Sequence, residues 1–377
     1  MKLQRVAAVA RKEFIHILRD PRSLGMGIAI PMLLLFLFGY ALTLDVDRVP
    51  LMVWDQSGTT ESRDLISRFS GSRYFTLTGH AVTYREIERA IDRRDVLMAL
   101  VIPPDFARKL RTGTAAPIQA ILDGSDSNTA TIALGYAEAV TQSWSQRITV
   151  EQSKRLSPLP TVGRVDVRPR VWFNTDMASR NYIFPGLIAV IMMVISALLT
   201  SLTVAREWET GTMEQLISTP LRGPELIAGK LIPYFAIGIL DFILSVLVGE
   251  FIFDIPLRGS LGLLFAMSLI FLLCALAFGL LISIITKNQR LASQIAMVTT
   301  MLPAFLLSGF IFPLDTMPAP IQAISRIVTA TYFVTILRGI YLKGVGLEVL
   351  GKEAVFLAIF GVAVVVISVK KFRKKVE

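Results

Sequence analysis

Residues 181–220 read NYIFPGLIAVIMMVISALLTSLTVAREWETGTMEQLISTP. From Asn181 to Ala205 no position carries a charge, a run of about 25 residues, and a helix needs about 20 apolar residues to cross a bilayer. Directly after it come Arg206 and three glutamates, Glu207, Glu209 and Glu214, with Gly211 and Pro220 as punctuation. Gly223 and Pro224 then open another apolar run, proline being suited to a first helical turn. A hydrophobic hairpin with a short, acidic, punctuated link is therefore the unit from which the rest of the chain is read.

Similar windows recur. Charge-free stretches lie between Arg22 and Asp45, between Arg258 and Lys287, and between Arg290 and Asp315. The run from Pro224 to Phe253 is interrupted only by Glu225, Lys230, Asp241 and Glu250, and a sixth, Ala354–Val369, is extended by Gly351 to Glu353. Six spans follow. Charged residues make up 18% of the 377, against about 25% in soluble domains, and the mean hydropathy is +0.59, so the composition is that of a membrane protein. The first window is too long, and its charged preamble too extended, for a cleaved signal peptide, and it reads as an uncleaved anchor.

The net charge of +10 would suit a nucleic-acid binder, but its distribution excludes that class. Lys2, Arg5, Arg11, Lys12, Arg19 and Arg22 precede the first window, and Lys370, Lys371, Arg373, Lys374 and Lys375 follow the last. Basic residues flanking spans put both termini in the cytoplasm, in agreement with an even number of spans. A lone cysteine, Cys274, excludes an internal disulfide, and with only His16 and His80 beside it a His/Cys metal site is excluded as well.

The organisation expected is an α-helical membrane protein of six transmembrane helices with an inserted extracytoplasmic α/β domain. Residues 1–22 form an amphipathic helix with apolar positions at Leu3, Val6, Ala10, Phe14, Ile17 and Leu18, lying on the inner membrane surface. Spans are expected at 23–44, 179–205, 224–253, 259–286, 291–312 and 351–369, with a cytoplasmic link at 206–223 and a basic tail at 370–377. Within 45–178, strands are read at 49–55, 96–103, 117–124 and 165–174, and helices at 59–69, 84–94, 104–113 and 128–154. Residues 313–350 are apolar but broken by prolines and glycines, and read as re-entrant or interfacial helices on the outer side.

In the link, Thr212 and Gln215 have the spacing of a capping box, Met213, Leu216 and Ile217 give an apolar face, and Pro220 ends the helix within about two turns. A solvated loop between spans is the plain alternative. GPELIAGKL (223–231) looks like a phosphate loop, but it has five residues between its glycines and leads into a span, so it is rejected. Asp241 falls in mid-span and Glu250 near the span's end. Intramembrane carboxylates are costly and mark either a transport path or a buried hydrogen bond.

REWETGTMEQLISTPLRGPELIAGKLIPY (206–234) resembles the signature of ABC-2 type exporter permeases, the membrane subunits of ATP-binding-cassette export systems. The match falls on Arg206, Glu207, Gly211, Thr212, Glu214, Leu216, Pro220, Gly229 and Lys230, while Ala205 stands where the family often has an acid. SGFIFPLDTMPAPIQAISRIVTATYFVTILRGIYLKG (308–344), and VIPPDF with ILDGSDSN, resemble the subgroup with a large extracytoplasmic domain between its first two spans. The resemblance implies a coupling helix at 206–223, whose Arg206, Glu207, Gly211, Thr212, Glu214, Leu216 and Pro220 would serve ATPase coupling. It implies ATPase subunits as partners, a second permease copy or close paralogue, a periplasmic adaptor as an option, and a multi-pass place in a bacterial cytoplasmic membrane. No cofactor is expected in this chain, ATP being bound by the partner, and no enzyme activity of its own. Few charges in the spans favour an apolar or amphipathic cargo, with Asp241 and Glu250 as the candidate path. The rival readings are a proton-coupled secondary efflux carrier and a non-transporting receptor or scaffold.

Overall fold

The computed structural model describes residues 2–41, 48–156, 172–174 and 178–372, with the side chains of 22, 23, 26, 127, 128 and 149–156 left aside. It divides into two compact units, residues 44–170 and the remainder.

The membrane unit begins with α1 (Leu3–Arg19), a one-turn α2 (Pro21–Leu24), a π-turn over Gly25–Ala29 and α3 (Ile30–Ala41). The apolar helix of the first window is thus short, Gly27–Ala41, and residues 42–44 lie outside the described residues. Among the described residues, five helices are long and apolar enough to cross a membrane, or up to six if one bent pair counts as a span. They include α8 (Ser179–Glu209), α10 (Gly223–Phe251), α11 (Leu261–Thr286) and α15 (Leu347–Lys371). The other is α12 (Gln289–Leu302), continued by a π-turn through Pro303–Leu307. The link helix α9 (Thr212–Ser218) joins α8 to α10. The bent pair is α13 (Ala319–Ser325) with α14 (Thr329–Arg338) and its π-helical extension to Lys343, turning by 85°.

α8 is the hub. Its apolar window is 83% buried, against 22% for α12 and α15, which therefore present apolar faces outward. It meets α11 at Gly279, where a Cβ would lie 2.2 Å from the Ala197 carbonyl, so no other residue permits that crossing. Thr200 Oγ1 donates to the Leu276 carbonyl at 2.9 Å beside it. One turn further, the Ser283 hydroxyl accepts from the backbone N–H groups of Val204 (3.0 Å) and Ala205 (2.9 Å). These bonds fix α8 immediately before Arg206. At the other end the Arg338 guanidinium holds the bend. It lies 3.5 Å over the Tyr182 ring and donates to the carbonyls of Tyr182, Gly309 and Phe310 at 3.2, 2.7 and 2.9 Å, which the broken helices leave open.

The second unit holds a four-stranded sheet in the order β2-β1-β3-β4, with β1 (Val49–Asp55) parallel to β2 (Phe75–His80) and β3 (Met98–Ile102), and β4 (Gln119–Leu122) antiparallel to β3. Helices α4 (Thr60–Ser70), α5 (Tyr84–Asp92), α6 (Phe106–Arg111) and α7 (Ser127–Leu156) accompany it. β1 alternates: Leu51 and Val53 join Leu65, Phe69, Leu100 and Phe106 on one face, and Met52 and Trp54 pack with Ile87 and Val101 on the other. β2 has no counterpart in the sequence reading. The strand expected at 165–174 falls mostly outside the described residues, and its described end, Trp172–Asn174, is not strand.

Candidate functional site

The link is seated between α1 on one side and the α11–α12 turn on the other. Gly211 separates α8 from α9 at φ +72, the left-handed region in which a side chain is strained. Thr212 is the first residue of α9 and not its cap. Its hydroxyl pairs with Thr210 Oγ1 (3.0 Å) and the Glu207 carbonyl (3.4 Å), so the capping box expected with Gln215 does not form. The left-handed glycine makes the turn, and a side-chain cap has no place in it.

α9 does not carry its apolar face free. Met213 is fully buried, and Leu216 and Ile217 pack half-buried on the membrane core. Glu214, Gln215 and Ser218 form the exposed edge, and Pro220 beyond it is also exposed. The three glutamates part company here. Glu209 accepts from the Gln289 backbone N–H (2.9 Å) and amide (2.6 Å), capping α12, while Trp208 beside it lies under Lys287, 4.7 Å from the ring centroid. Glu207 is buried at 5% exposure. Glu209 and Glu214 are both exposed, but of the three only Glu214 has no side-chain hydrogen bond or ion pair among the described residues.

Glu207 belongs to a four-membered ionic cluster. Lys230 of α10, 1% exposed, lies 2.9 Å from Glu207 and 3.0 Å from Glu13 of α1. Lys12 lies 2.5 Å from Glu207 and 3.4 Å from Glu13. Two lysines and two carboxylates balance. Burial pushes the Glu13 carboxyl up, but Lys230 and Lys12 outweigh it and hold the group below its ordinary range. For Lys12, burial pushes down and the Glu207 and Glu13 carboxylates prevail, raising it. A cavity of about 280 Å³ adjoins the cluster, lined by Glu13, His16, Arg206, Glu207, Thr212 and Tyr234 among others. Glu207 Oε2 is buried there without a partner among the described residues.

Gly229 explains the neighbouring residue. A Cβ at 229 would lie 2.7 Å from Val9 Cβ and 3.1 Å from the Val6 carbonyl. Glycine lets α1 lie against α10, and Lys230 next to it then reaches Glu13. The G-K pair of the sequence is thus a contact surface followed by a cation. α1 also holds both ends of the link: Arg206 Nη1 meets His16 Nε2 at 2.7 Å and Asp20 at 3.5 Å, while Arg5 donates to the Pro220 carbonyl and lies 3.5 Å from Glu225. Glu225 further accepts from the N–H groups of Lys2 (2.8 Å) and Arg222 (3.0 Å).

The buried face of α1 differs from the expected one. Val6, Val9, Glu13 and Ile17 face inward, whereas Leu3, Phe14 and Leu18 are exposed. Glu13 hid among the apolar positions because its partner sits 217 residues away. A lysine isolated in an apolar run was the one signal that pointed to such a partner.

The two span carboxylates do not form one site. Asp241 is buried at 4% exposure with Oδ1 unpartnered among the described residues. Glu250 is exposed, nine residues and so about 14 Å further along the same helix.

Residues 21–370 match the family model described as ABC-2 family transporter protein. The chain is 40% identical over 375 residues to the "Probable multidrug ABC transporter permease YbhS" of Escherichia coli strain K12, covering 99% of this chain and 98% of that one. It is 31% identical over 372 residues to YbhR of the same strain, which carries the same description, covering 99% of each. It is 24% identical over 333 residues to the "Inner membrane transport permease YhhJ", also of that strain, covering 87% of this chain and 86% of that one. With helices fit to span a membrane and a match along nearly its whole length, the chain belongs to the ABC-2 family of transporter proteins, as a permease.

Proposed function

We propose that the chain is the membrane subunit of an exporter for an apolar or amphipathic compound, a drug or lipid-like molecule, driven by a separate ATPase. The single observation that carries this reading is the seating of α9. Its apolar side is anchored and both its flanks are clamped, while Glu214, Gln215 and Ser218 stand out as a rigid polar edge. A rigid edge held by ion pairs passes a push into the helices it is pinned to, whereas a solvated loop absorbs it. In this reading ATPase subunits dock on that edge. A push there travels through Glu207 and Lys230 into α8 and α10, with α1 as the brace.

Both termini and α9 then lie on the cytoplasmic side of the inner membrane, residues 45–178 on the other, and a second permease copy or a close paralogue completes the path. A periplasmic adaptor is compatible with the exposed α/β unit. The descriptions of YbhS and YbhR support a multidrug cargo. Asp241 is the candidate polar contact on the path and Glu250 its companion at the far end of α10. Arg206, Glu207, Gly211, Thr212 and Leu216 act in coupling by holding α9 in place, and Glu214 acts by contact. Glu214→Lys reverses the one free charge on the edge without touching the core. The variant is expected to insert normally yet lose copurification of the ATPase and export of a fluorescent amphipathic dye. Unchanged copurification and export would return the link to a plain loop.

A further inference from the structure

A groove runs along the surface of α10, bounded by α11 and α15, and no feature of the coupling site uses it. Ala228, Ile232, Phe235, Leu273, Val365 and Val369 are among its lining residues, and all of those are apolar. It encloses about 420 Å³. From Pro224 to Phe235 it runs along twelve residues of helix, eleven rises of 1.5 Å or about 16 Å, which is one leaflet of a hydrocarbon core about 30 Å thick. An apolar groove one leaflet long and open along its side fits an extended hydrocarbon chain.

Its mouth is basic. Phe372 packs where a Cβ on Gly223 would sit, 3.3 Å away, which brings the start of α10 and the end of α15 together. Arg222, Lys370 and Lys371 are exposed at these two ends and make no ion pair among the described residues. The nearby acid, Glu225, is 1% exposed and already bonded to Lys2, Arg222 and Arg5. Cations at the depth of the headgroups, above an apolar slot one leaflet deep, select an anionic amphiphile.

We propose that this groove is a binding site for one acyl chain of an anionic phospholipid from the leaflet at the α10 N-terminus, its headgroup held by Arg222, Lys370 and Lys371. The inference rests on the membrane placement of α10, α11 and α15 within the exporter reading. Its test needs neither ATPase nor transport, so the two fail separately.

The test reconstitutes the full chain in phosphatidylcholine vesicles and measures, by spin-label spectroscopy, the motionally restricted fraction of labelled phosphatidylglycerol against labelled phosphatidylcholine. Wild type is expected to prefer phosphatidylglycerol several-fold. Lys370→Gln/Lys371→Gln/Arg222→Gln, all surface changes, should bring the two lipids to parity. Ala228→Phe should lower the restricted population while keeping the residual preference low. A wild type without preference, or a preference that survives the triple substitution, overturns the proposal. So does an Ala228→Phe variant that changes the oligomeric mass and leaves the restricted lipid unchanged, since the groove is then a contact between copies.

Discussion

Lys230→Met tests the ionic cluster. The ammonium lies 3.0 Å from Glu13 and 2.9 Å from Glu207, at 1% exposure. At an effective dielectric of about 20, each contact near 3 Å is worth about 5 kcal/mol before desolvation is counted. Removing the lysine returns its desolvation cost but leaves two carboxylates facing Lys12 alone, a net buried charge. Breaking one partner out of a buried set costs about 3–5 kcal/mol. Lys12, whose side chain is 51% exposed, turns toward both acids and places the result at the lower end, about 3 kcal/mol. The cost falls on the joint between α1 and α10, so it appears as local opening.

Val9 is buried in that joint at 6% exposure, and a cysteine there, in a Cys274→Ser background, reports each opening to a thiol reagent. Lys230→Met should raise its labelling rate about a hundredfold, 1.4 kcal/mol being a factor of ten. Lys230→Met/Glu13→Leu leaves the neutral Lys12–Glu207 pair and should recover most of the loss. A single variant within threefold of wild type, or a double no better than the single, refutes the balance of charge as what holds α1.

Further expectations follow from the same geometry. Gly211→Ala forces a side chain into φ +72 and should cost about 1–2 kcal/mol, read as a lower melting temperature and weaker partner binding. Thr212→Ala should cost under about 0.5 kcal/mol in the same melts, because its hydroxyl makes no N-cap bond to α9 and only a contact with Thr210 and a long 3.4 Å bond to the Glu207 carbonyl, against about 1 kcal/mol for a true N-cap. Gly229→Leu drives α1 off α10, and Val9→Ala should rescue it only in part because the Val6 carbonyl also stands in the way; labelling at residue 17 reads the separation. The Glu13 carboxyl is held low, so its contribution is present above about pH 4.3 and is lost as pH falls through the lowered value. Lys12 is held high, so its contribution is present below about pH 10.4 and is lost as pH rises beyond it. Melts against pH should show a plateau between, with a shallower acid limb in Glu13→Gln.

Where the sequence was legible, local chemistry was decisive. Pro220 and Gly211 bounded α9 because proline and a left-handed glycine act on their own backbone. The strand 49–55 is β1 residue for residue, its alternation being the pattern of a sheet with two packed faces. β2 was not legible: FTLTGH is a short edge strand with a glycine and threonines, and its pairing with β1 shifts register at Leu51/Met52. The capping box at Thr212 misled because its spacing was right, while the backbone at Gly211 had already settled the turn. Glu207 and Glu209 looked like a docking surface together with Glu214. Lys230 takes Glu207 inward and Gln289 occupies the exposed Glu209, and only the packing of α10 and α12 against α8 decides either partner.

A photo-crosslinking amino acid at Gln215, in cells that express the chain with its ATPase, reports whether the ATPase docks on α9. Gln215 sits on the exposed edge of α9 and its side chain supports nothing in the fold. The account predicts an adduct of the chain with the ATPase from position 215 and none from the same probe at Ser125 of the α/β unit. Absence of an ATPase adduct at 215, with adducts forming at exposed positions elsewhere, would contradict it.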